Sequence, residues 1–284
     1  MSIKSDTAPR PIVRDQTAEC VLEARSITKT YSRGGFFKKA EEVAVLHGVD
    51  LAIRAGECVG LIGRSGSGKS TLGRILLALE TPTSGEACIL GRRTTDEKGR
   101  VRLDRDQRRA VQVVFQDALG SVNPRLTAGD IIAEPLRNFE NLKGAPLTER
   151  VAELLVHVGL SPEDAAKHPA RFSGGQLQRI SIARALAPRP RCIILDEALS
   201  SLDMLVQAKI LDLLDRLRRE DKVAYLFVTH DLRLVKLFCD RSVTMEQGRL
   251  VPFDIEDLAN DQGKQTLPGD IRELASAMLP AVPA

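Results

Sequence analysis

A glycine-rich loop between an apolar run and a helical segment constrains the fold of this chain more than any other feature. The loop Gly63–Ser70 reads GRSGSGKS, of the form G-x-x-x-x-G-K-S, and directly follows the apolar run Cys58–Ile62. Glycines at these places let successive backbone N–H groups turn toward phosphate oxygens, and the N-terminus of a following helix adds partial positive charge. The pattern therefore predicts a strand, a phosphate-binding loop and a helix that begins near Lys69.

Strand-like and helical patterns alternate along most of the chain. The strand-like segments are Val21–Tyr31, Val43–Ile53, Arg191–Asp196 and Val223–Thr229, and the helical segments are Asp203–Arg219 and Leu232–Phe238. Such alternation predicts an α/β fold in which a mainly parallel sheet carries helices on its faces.

One stretch departs from this alternation. Between Asp117 and Arg171 no strong strand pattern is present, but Leu147, Val151 and Val158 mark the apolar face of a helix. We therefore predict that a helical subdomain is inserted into the α/β framework at about residues 117–172.

The same patterns give the predicted domain organisation. Residues 1–19 are polar and contain prolines, which predicts a flexible N-terminal segment. Residues 20–250 are predicted to form the nucleotide-binding α/β domain, and residues 251–284 a short C-terminal tail.

The composition excludes several classes of protein. Hydrophobic residues make up 43% of the 284 residues and charged residues 28%, which is typical of a globular domain rather than a disordered or fibrous chain. The 41 Lys and Arg residues nearly balance the 38 Asp and Glu residues, so the net charge of +3 argues against a nucleic-acid partner. No apolar run is long enough to cross a bilayer, and no secretory signal is visible.

The cysteines are scattered along the chain. They are Cys20, Cys58, Cys88, Cys192 and Cys239. No two of them have the spacing of a metal-binding or redox motif. We therefore predict reduced thiols in a cytoplasmic protein.

A second apolar run supplies the acidic residues that a phosphate-binding loop needs for its metal ion. Asp196 and Glu197 directly follow the run that begins at Cys192. We predict that Mg²⁺ is held by Ser70 and Asp196, and that Glu197 takes a proton from the attacking water. Lys69 is predicted to reach the β and γ phosphates of the nucleotide.

We expect the loop to contact the nucleotide along its whole length. The predicted contact residues are Gly63, Arg64, Ser65, Gly66, Ser67, Gly68, Lys69, Ser70 and Thr71.

A second candidate phosphate cradle precedes the acidic run. Ser173, Gly174, Gly175 and Gln176 open a helical segment, where a hydroxyl, backbone N–H groups and the helix dipole can act together on a phosphate. One nucleotide cannot fill two cradles so far apart in one chain. With the loop and the acidic run, this segment resembles the signature of the ABC (ATP-binding cassette) ATPases, and the resemblance covers about residues 20 to 250.

The resemblance implies further site residues. Gln116 is similar to the glutamine that contacts Mg²⁺ and the attacking water in this family, His230 to the histidine that contacts the γ-phosphate, and Tyr31 to the aromatic residue that stacks on adenine. Phe172, where leucine is usual, and Leu199, where threonine or valine is usual, depart from the family pattern. Neither supplies an atom that hydrolysis needs.

The family also implies a fold, a ligand and partners. The expected fold is a nucleotide-binding core with a mainly parallel sheet, an antiparallel β portion and the helical insertion. ATP and Mg²⁺ are the expected ligands. The expected partners are a second ATPase subunit, identical or different, whose nucleotide meets this chain's signature, together with transmembrane permease subunits and a periplasmic binding protein. The chain would then sit at the cytoplasmic face of the inner membrane.

The transported solute is indicated by resemblance alone. Residues 117–127 resemble the peptide and nickel importer branch of the family. Within that branch, the segment around His230 and Cys239 and the ending Leu279–Pro283 are similar to the nickel importers. An importer of di- or oligopeptides remains the main alternative. A non-transport ABC ATPase, an ATPase-like subunit of an enzyme complex such as phosphonate breakdown, and a kinase or GTPase with the same loop are the others.

Overall fold

The computed structural model describes residues 18–33, 41–259 and 267–278. The predicted flexible segment 1–19 and the ending Leu279–Pro283 lie almost wholly outside the described residues.

Strands and helices are interspersed along the described chain. The strands are β1 (Cys20–Arg33), β2 (Glu41–Arg54), β3 (Cys58–Ile62), β4 (Ser84–Ile89), β5 (Arg92–Arg93), β6 (Val111–Val114), β7 (Cys192–Asp196), β8 (Ala224–Val228), β9 (Arg241–Glu246) and β10 (Arg249–Phe253). The α-helices are α1 (Lys69–Leu76), α2 (Arg105–Ala110), α3 (Ala128–Pro135), α4 (Gly144–His157), α5 (Gly174–Leu186), α6 (Met204–Asp221), α7 (Leu232–Phe238) and α8 (Gly269–Met278). Within the described part of the chain, no helix has both the length and the apolar character needed to cross a membrane.

The larger sheet has six strands in the order β10-β9-β3-β8-β7-β6. All neighbouring pairs are parallel except β10 and β9. Every residue of β3 and β8 is buried, because helices and the second sheet cover both faces, and such strands appear in the sequence as continuous apolar runs. Val228 pairs with both Leu61 and Asp196, so the carboxyl ends of β3, β8 and β7 meet at one edge.

The smaller sheet is antiparallel, in the order β2-β1-β4-β5. Its apolar face and helix α1 share one buried cluster, to which Ile27, Ile53, Leu72 and Ile75 belong. The two sheets together confirm the predicted α/β fold, with a mainly parallel sheet and an antiparallel portion. Strands β4, β6 and β9 were not predicted as strands, since polar residues interrupt them and they are not continuous buried apolar runs like β3 and β8.

Helices α3 and α4 occupy the stretch in which the sequence shows no strand pattern. Thr127 caps α3 by accepting a hydrogen bond from the Asp130 amide at 3.1 Å. The predicted apolar face of α4 is buried, with Val151 and Leu154 in the same cluster as residues of α3 and α5. These helices therefore form a layer that packs on α5, which begins immediately after Ser173.

The C-terminal region is more structured than a tail. Strand β10 crosses residue 250, where the predicted boundary was set. Leu267, Ile271 and Ala275 are buried at 2%, 0% and 5% exposure and join the main apolar cluster, so α8 is packed on the core. No local sequence pattern indicates this packing, because the apolar positions of α8 are few and far from the other motifs.

Two of the cysteines, which the sequence predicts as reduced thiols, lie close together in space. All five cysteines are free thiols, but the sulfur atoms of Cys58 and Cys239 lie 3.5 Å apart. These residues are 181 positions apart in sequence, so spacing along the chain could not indicate their contact.

Candidate active site

The loop Gly63–Ser70 connects β3 to α1 in a conformation that requires glycine. Gly63, Gly66 and Gly68 have φ angles of 146°, 80° and 114°, which side chains disfavour. A Cβ on Gly63 would lie 2.7 Å from the Met245 carbonyl oxygen, and one on Gly68 would lie 2.9 Å from Leu46 Cδ2. The loop is therefore held tightly against β9 and β2, with its backbone available to a ligand.

Two polar groups of the loop fit a bound phosphate. Lys69 Nζ donates hydrogen bonds to the carbonyl oxygens of Gly63 at 2.6 Å and Arg64 at 2.8 Å, which holds the ammonium group within the loop. Ser67 Oγ is buried and has no hydrogen-bond partner among the described residues. A glycine-rich backbone loop, a cation and an unpartnered hydroxyl make a suitable site for the phosphates of a nucleotide.

The carboxyl ends of β7 and β8 bring the predicted catalytic groups beside Lys69. The Glu197 amide donates to the Val228 carbonyl at 2.9 Å, and Glu197 has a φ of 50°, so its position is set by β8. His230 Nδ1 lies 3.7 Å from Glu197 Oε2. The side chain of Glu197 is 25% exposed and that of His230 55%, so both are accessible to a ligand.

The charges of this site influence each other. Burial lowers the pKa of Lys69, while the carboxylates of Glu197, Asp196 and Asp270 oppose that change. Burial raises the pKa of Asp196, and the adjacent Glu197 raises it further. The site therefore combines one cation with three carboxylates, and a bound nucleotide with its metal ion would change the electrostatic interactions among them.

The candidate Mg²⁺ ligands are few. Within the described ranges, no group of three or more His, Cys, Asp or Glu side chains could hold a metal ion by itself. Mg²⁺ usually keeps several waters and takes one or two protein ligands together with substrate phosphates. The hydroxyl of Ser70 and the carboxylate of Asp196, which follow β3 and end β7, provide a donor set of that kind.

Ser173 begins helix α5 in a reciprocal cap. Its Oγ accepts a hydrogen bond from the Gln176 amide at 3.3 Å, and its own amide donates to Gln176 Oε1 at 2.9 Å. A Cβ on Gly174 would meet open space, whereas one on Gly175 would lie 3.3 Å from Leu202. Within residues 41–259, no hydrogen bond or ion pair joins this helix start to Gly63–Ser70, and Ser173 and Gly174 are exposed.

Gln116 follows β6 and is exposed in a groove of about 440 Å³. The groove is also lined by Phe172, Gly174 and Gln178 of the segment that carries the second cradle. Helix α5 holds both ends of the segment 115–121, which contains Gln116. Gln178 donates to the Phe115 carbonyl at 3.0 Å, and Arg184 donates to the Ser121 carbonyl at 2.7 Å. A shift of α5 would therefore move Gln116.

Tyr31 lies near the end of β1, where it pairs with Val43 of β2. Two residues along, the Val45 carbonyl lies 3.2 Å from a Cβ placed on Gly68, so this end of β2 passes the phosphate-binding loop. The ammonium group of Lys29 is 5.0 Å from the centre of the Tyr31 ring. The backbone of Tyr31 thus lies on the antiparallel sheet near the strand end that passes the loop, and its ring lies beside Lys29.

Helix α8 contributes acidic residues that the sequence did not indicate. Arg64 of the loop forms an ion pair with Glu273 at 3.1 Å. The Asp270 amide donates to Glu246 Oε1 at 3.0 Å, which fixes the start of α8 against β9. Arg64 and Glu273 are 209 positions apart, and only the packing of α8 reveals that they meet.

Replacing Asp270 with Asn should strengthen ATP binding. The negative charge of Asp270 raises the pKa of Lys69, so the same charge should also repel the phosphates that Lys69 is expected to hold. We expect the ATP dissociation constant to fall by about 2- to 10-fold, measured by calorimetry. Asp106→Asn, the same change at an exposed position of α2, is the control and should leave affinity unchanged. Unchanged or weaker binding in Asp270→Asn would contradict the electrostatic argument.

The sheet order, the loop and the groups around Lys69 define a nucleotide-binding α/β cassette. A family profile described as "ABC transporter" matches residues 46–200. This chain belongs to the ABC transporter family, as its motifs predict.

Curated relatives extend the likeness over nearly the whole chain. A nickel import ATP-binding protein NikE from Rhodospirillum rubrum is 47% identical, with 93% of each chain covered. Proteins with the same description from Brucella suis and Escherichia coli are 46% and 42% identical, over 93% of this chain and 97% and 96% of theirs.

Solved structures show the same fold. A dimeric ATP-binding cassette, MJ0796, in a post-hydrolysis state bound to ADP and Pi, has a TM-score of 0.73 and 34% identity, covering 82% of this chain and 98% of its own. The structure of cbiO1 from Clostridium perfringens, part of the ABC transporter complex cbiONQ, has a TM-score of 0.71 and 24% identity. It covers 92% of this chain and 99% of its own.

Proposed function

We propose that this chain is the ATP-hydrolysing subunit of a bacterial ABC importer that takes up nickel. For hydrolysis, the supporting observation is the meeting of Lys69, Glu197 and His230 at one edge of the sheet. For nickel, it is the likeness to nickel import ATP-binding proteins at 42–47% identity over 93% of the chain.

In this proposal the backbone of Gly63–Ser70 and the Lys69 ammonium hold the β and γ phosphates of ATP. Glu197 accepts a proton from the attacking water, and His230 contacts the γ-phosphate from the same side. Ser70, Asp196 and Gln116 would hold Mg²⁺ and its waters, and the ion would supply positive charge beside the phosphates. Tyr31 stacks on the base.

The start of helix α5 acts on a second subunit. Ser173, Gly174, Gly175 and Gln176 are placed to bind the nucleotide that a partner ATPase holds, and the exposure of Ser173 and Gly174 supports this assignment. The dimeric state of the ADP-bound relative supports it too. Because α5 holds the Gln116 loop at both ends, closure on nucleotide would be transmitted to the helical layer.

The helical layer would transmit that movement to transmembrane permease subunits. The chain would therefore act as a peripheral subunit at the cytoplasmic face of the inner membrane, and a periplasmic binding protein would deliver the solute. We propose residues 20–250 as the ATPase domain and about 117–172 as its helical subdomain, with the rest of β10 and helix α8 packed on that domain beyond residue 250.

Nickel itself is not expected to bind this chain. Its four histidines are His47, His157, His168 and His230, and within the described ranges none belongs to a cluster that could hold a metal ion. The solute specificity is therefore expected to belong to the other subunits.

Deleting the gene should abolish high-affinity uptake of radioactive nickel. The wild-type gene should restore uptake, and a Lys69→Ala gene should fail to do so, because the complex would assemble without a functional nucleotide site. Urease or hydrogenase activity should fall in parallel and recover with excess nickel in the medium. Normal nickel uptake in the deletion strain, with loss of growth on peptides, would transfer the assignment to peptide import.

A further inference from the structure

Cys58 and Cys239 meet where the first residue of β3 approaches the end of α7. The Cys58 amide donates to Asp240 Oδ2 at 2.7 Å, and the Asp240 amide donates to the Cys58 carbonyl at 2.9 Å. Two hydrogen bonds thus fix the residue next to Cys239 against Cys58. Arg218 pairs with the same Asp240 carboxylate at 3.1 Å, which anchors it from α6.

The close approach of α7 depends on a glycine in β3. A Cβ on Gly60 would lie 2.9 Å from Val235 Cγ1 and 3.1 Å from Cys239 Sγ. Without that Cβ, the sulfur atoms of Cys58 and Cys239 come within 3.5 Å. A disulfide needs them at about 2.05 Å, so the two sulfur atoms must approach by roughly another 1.5 Å for the bond to form.

We propose that Cys58 and Cys239 are a reversible oxidation site, at which a peroxide converts the two thiols into an intramolecular disulfide. The link would join α7, which begins just after His230, to β3, which leads into the phosphate-binding loop. This oxidation is separate from nucleotide hydrolysis and solute import, and it does not depend on which solute is transported.

The two thiols have different surroundings, and this sets their roles. Cys239 is partly exposed, whereas Cys58 is fully buried. Burial raises the pKa of the Cys58 thiol, and the neighbouring Cys239 raises it further. A peroxide therefore reaches Cys239 first, and Cys58 acts as the resolving thiol.

The chemistry balances in two steps. The Cys239 sulfur attacks one peroxide oxygen, the O–O bond breaks, and a sulfenic acid forms at Cys239 with release of one water. The Cys58 sulfur then attacks the Cys239 sulfur and displaces hydroxide, which leaves as a second water with the Cys58 proton. The two sulfurs together lose two electrons, and hydrogen peroxide is reduced to two molecules of water.

Peptide mapping of the purified full-length chain tests the proposal. After treatment with hydrogen peroxide, the intact mass should fall by about 2 Da, since two hydrogens are lost. Cleavage after Lys and Arg without reduction should then release Ala55–Arg64 linked to Leu237–Arg241, because these fragments carry Cys58 and Cys239. Dithiothreitol should restore both free thiols.

Variants distinguish the proposed roles. Cys239→Ser should abolish the link and leave Cys58 as a free thiol, whereas Cys20→Ser, a matched change at another partly exposed cysteine, should leave the link intact. In Cys58→Ala, dimedone should label a sulfenic acid at Cys239. If that buried variant does not fold, dimedone added with peroxide to the wild-type chain gives the same readout.

Two results would overturn the proposal. One is wild-type chain in which peroxide oxidises Cys239 to a sulfinic acid without any linked peptide. The other is a disulfide that joins a different pair of cysteines while Cys58 and Cys239 remain reduced.

Discussion

Glu197→Gln should stop ATP hydrolysis while ATP binding persists. The amide keeps the shape of the side chain and its place beside His230, but it cannot accept a proton from water. Losing a general base typically costs about 10²- to 10⁴-fold in rate, so we expect phosphate release by the assembled transporter to fall by that factor. The ATP dissociation constant of the purified chain should stay within about 3-fold, because Glu197 does not belong to the phosphate cradle.

The same isosteric change elsewhere provides the control. Glu220 is exposed on α6, and Glu220→Gln should leave phosphate release unchanged. Size-exclusion chromatography with ATP gives a second readout, since a non-hydrolysing subunit should accumulate in the closed, associated form. Phosphate release in Glu197→Gln close to that of the wild-type protein would show that another group accepts the proton.

Lys69→Ala should abolish nucleotide binding itself. The ammonium group is held inside the loop by the carbonyls of Gly63 and Arg64, where it would face the phosphates. Removing one partner of a buried charge pair costs about 2–5 kcal/mol, so ATP affinity should fall by roughly 30- to several-thousand-fold. Calorimetry on the purified chain measures this loss directly.

Thermal unfolding separates lost binding from lost folding. ATP should raise the melting temperature of the wild-type chain but not that of Lys69→Ala, because a ligand stabilises only a chain that binds it. Without nucleotide the two chains should melt at similar temperatures. Lys98→Ala, at an exposed position, should keep the full ATP-dependent shift. An ATP-dependent shift of wild-type size in Lys69→Ala would refute the role of the ammonium group.

Local signals explain why so much of the fold was predictable. The buried parallel strands β3, β7 and β8 are continuous apolar runs, and the loop after β3 needs glycines at fixed positions. Both requirements are visible along the chain without knowledge of distant contacts. Strand β9 is not evident from the sequence because polar residues interrupt its apolar positions. It is a strand because it pairs with β3.

The candidate site was predictable for a related reason. In a parallel sheet, residues that follow the carboxyl ends of neighbouring strands meet at one edge. The sequence places Lys69, Glu197 and His230 after three such strands, so knowledge of the strands alone indicates that they converge. Only the structure shows that Glu197 and His230 are 3.7 Å apart and that loop carbonyls hold the Lys69 ammonium group.

By itself the sequence determined the α/β class, the glycine-rich loop after β3, the acidic run and the capped helix start at Ser173, since each depends on residues that are neighbours in the chain. Only the tertiary structure decided that α8 packs on the core and brings Asp270 and Glu273 to the loop, and that Cys58 meets Cys239. Those contacts join residues about two hundred positions apart. They arise from burial of apolar faces, which fixes where distant segments pack but leaves no local pattern to show which polar groups they bring together.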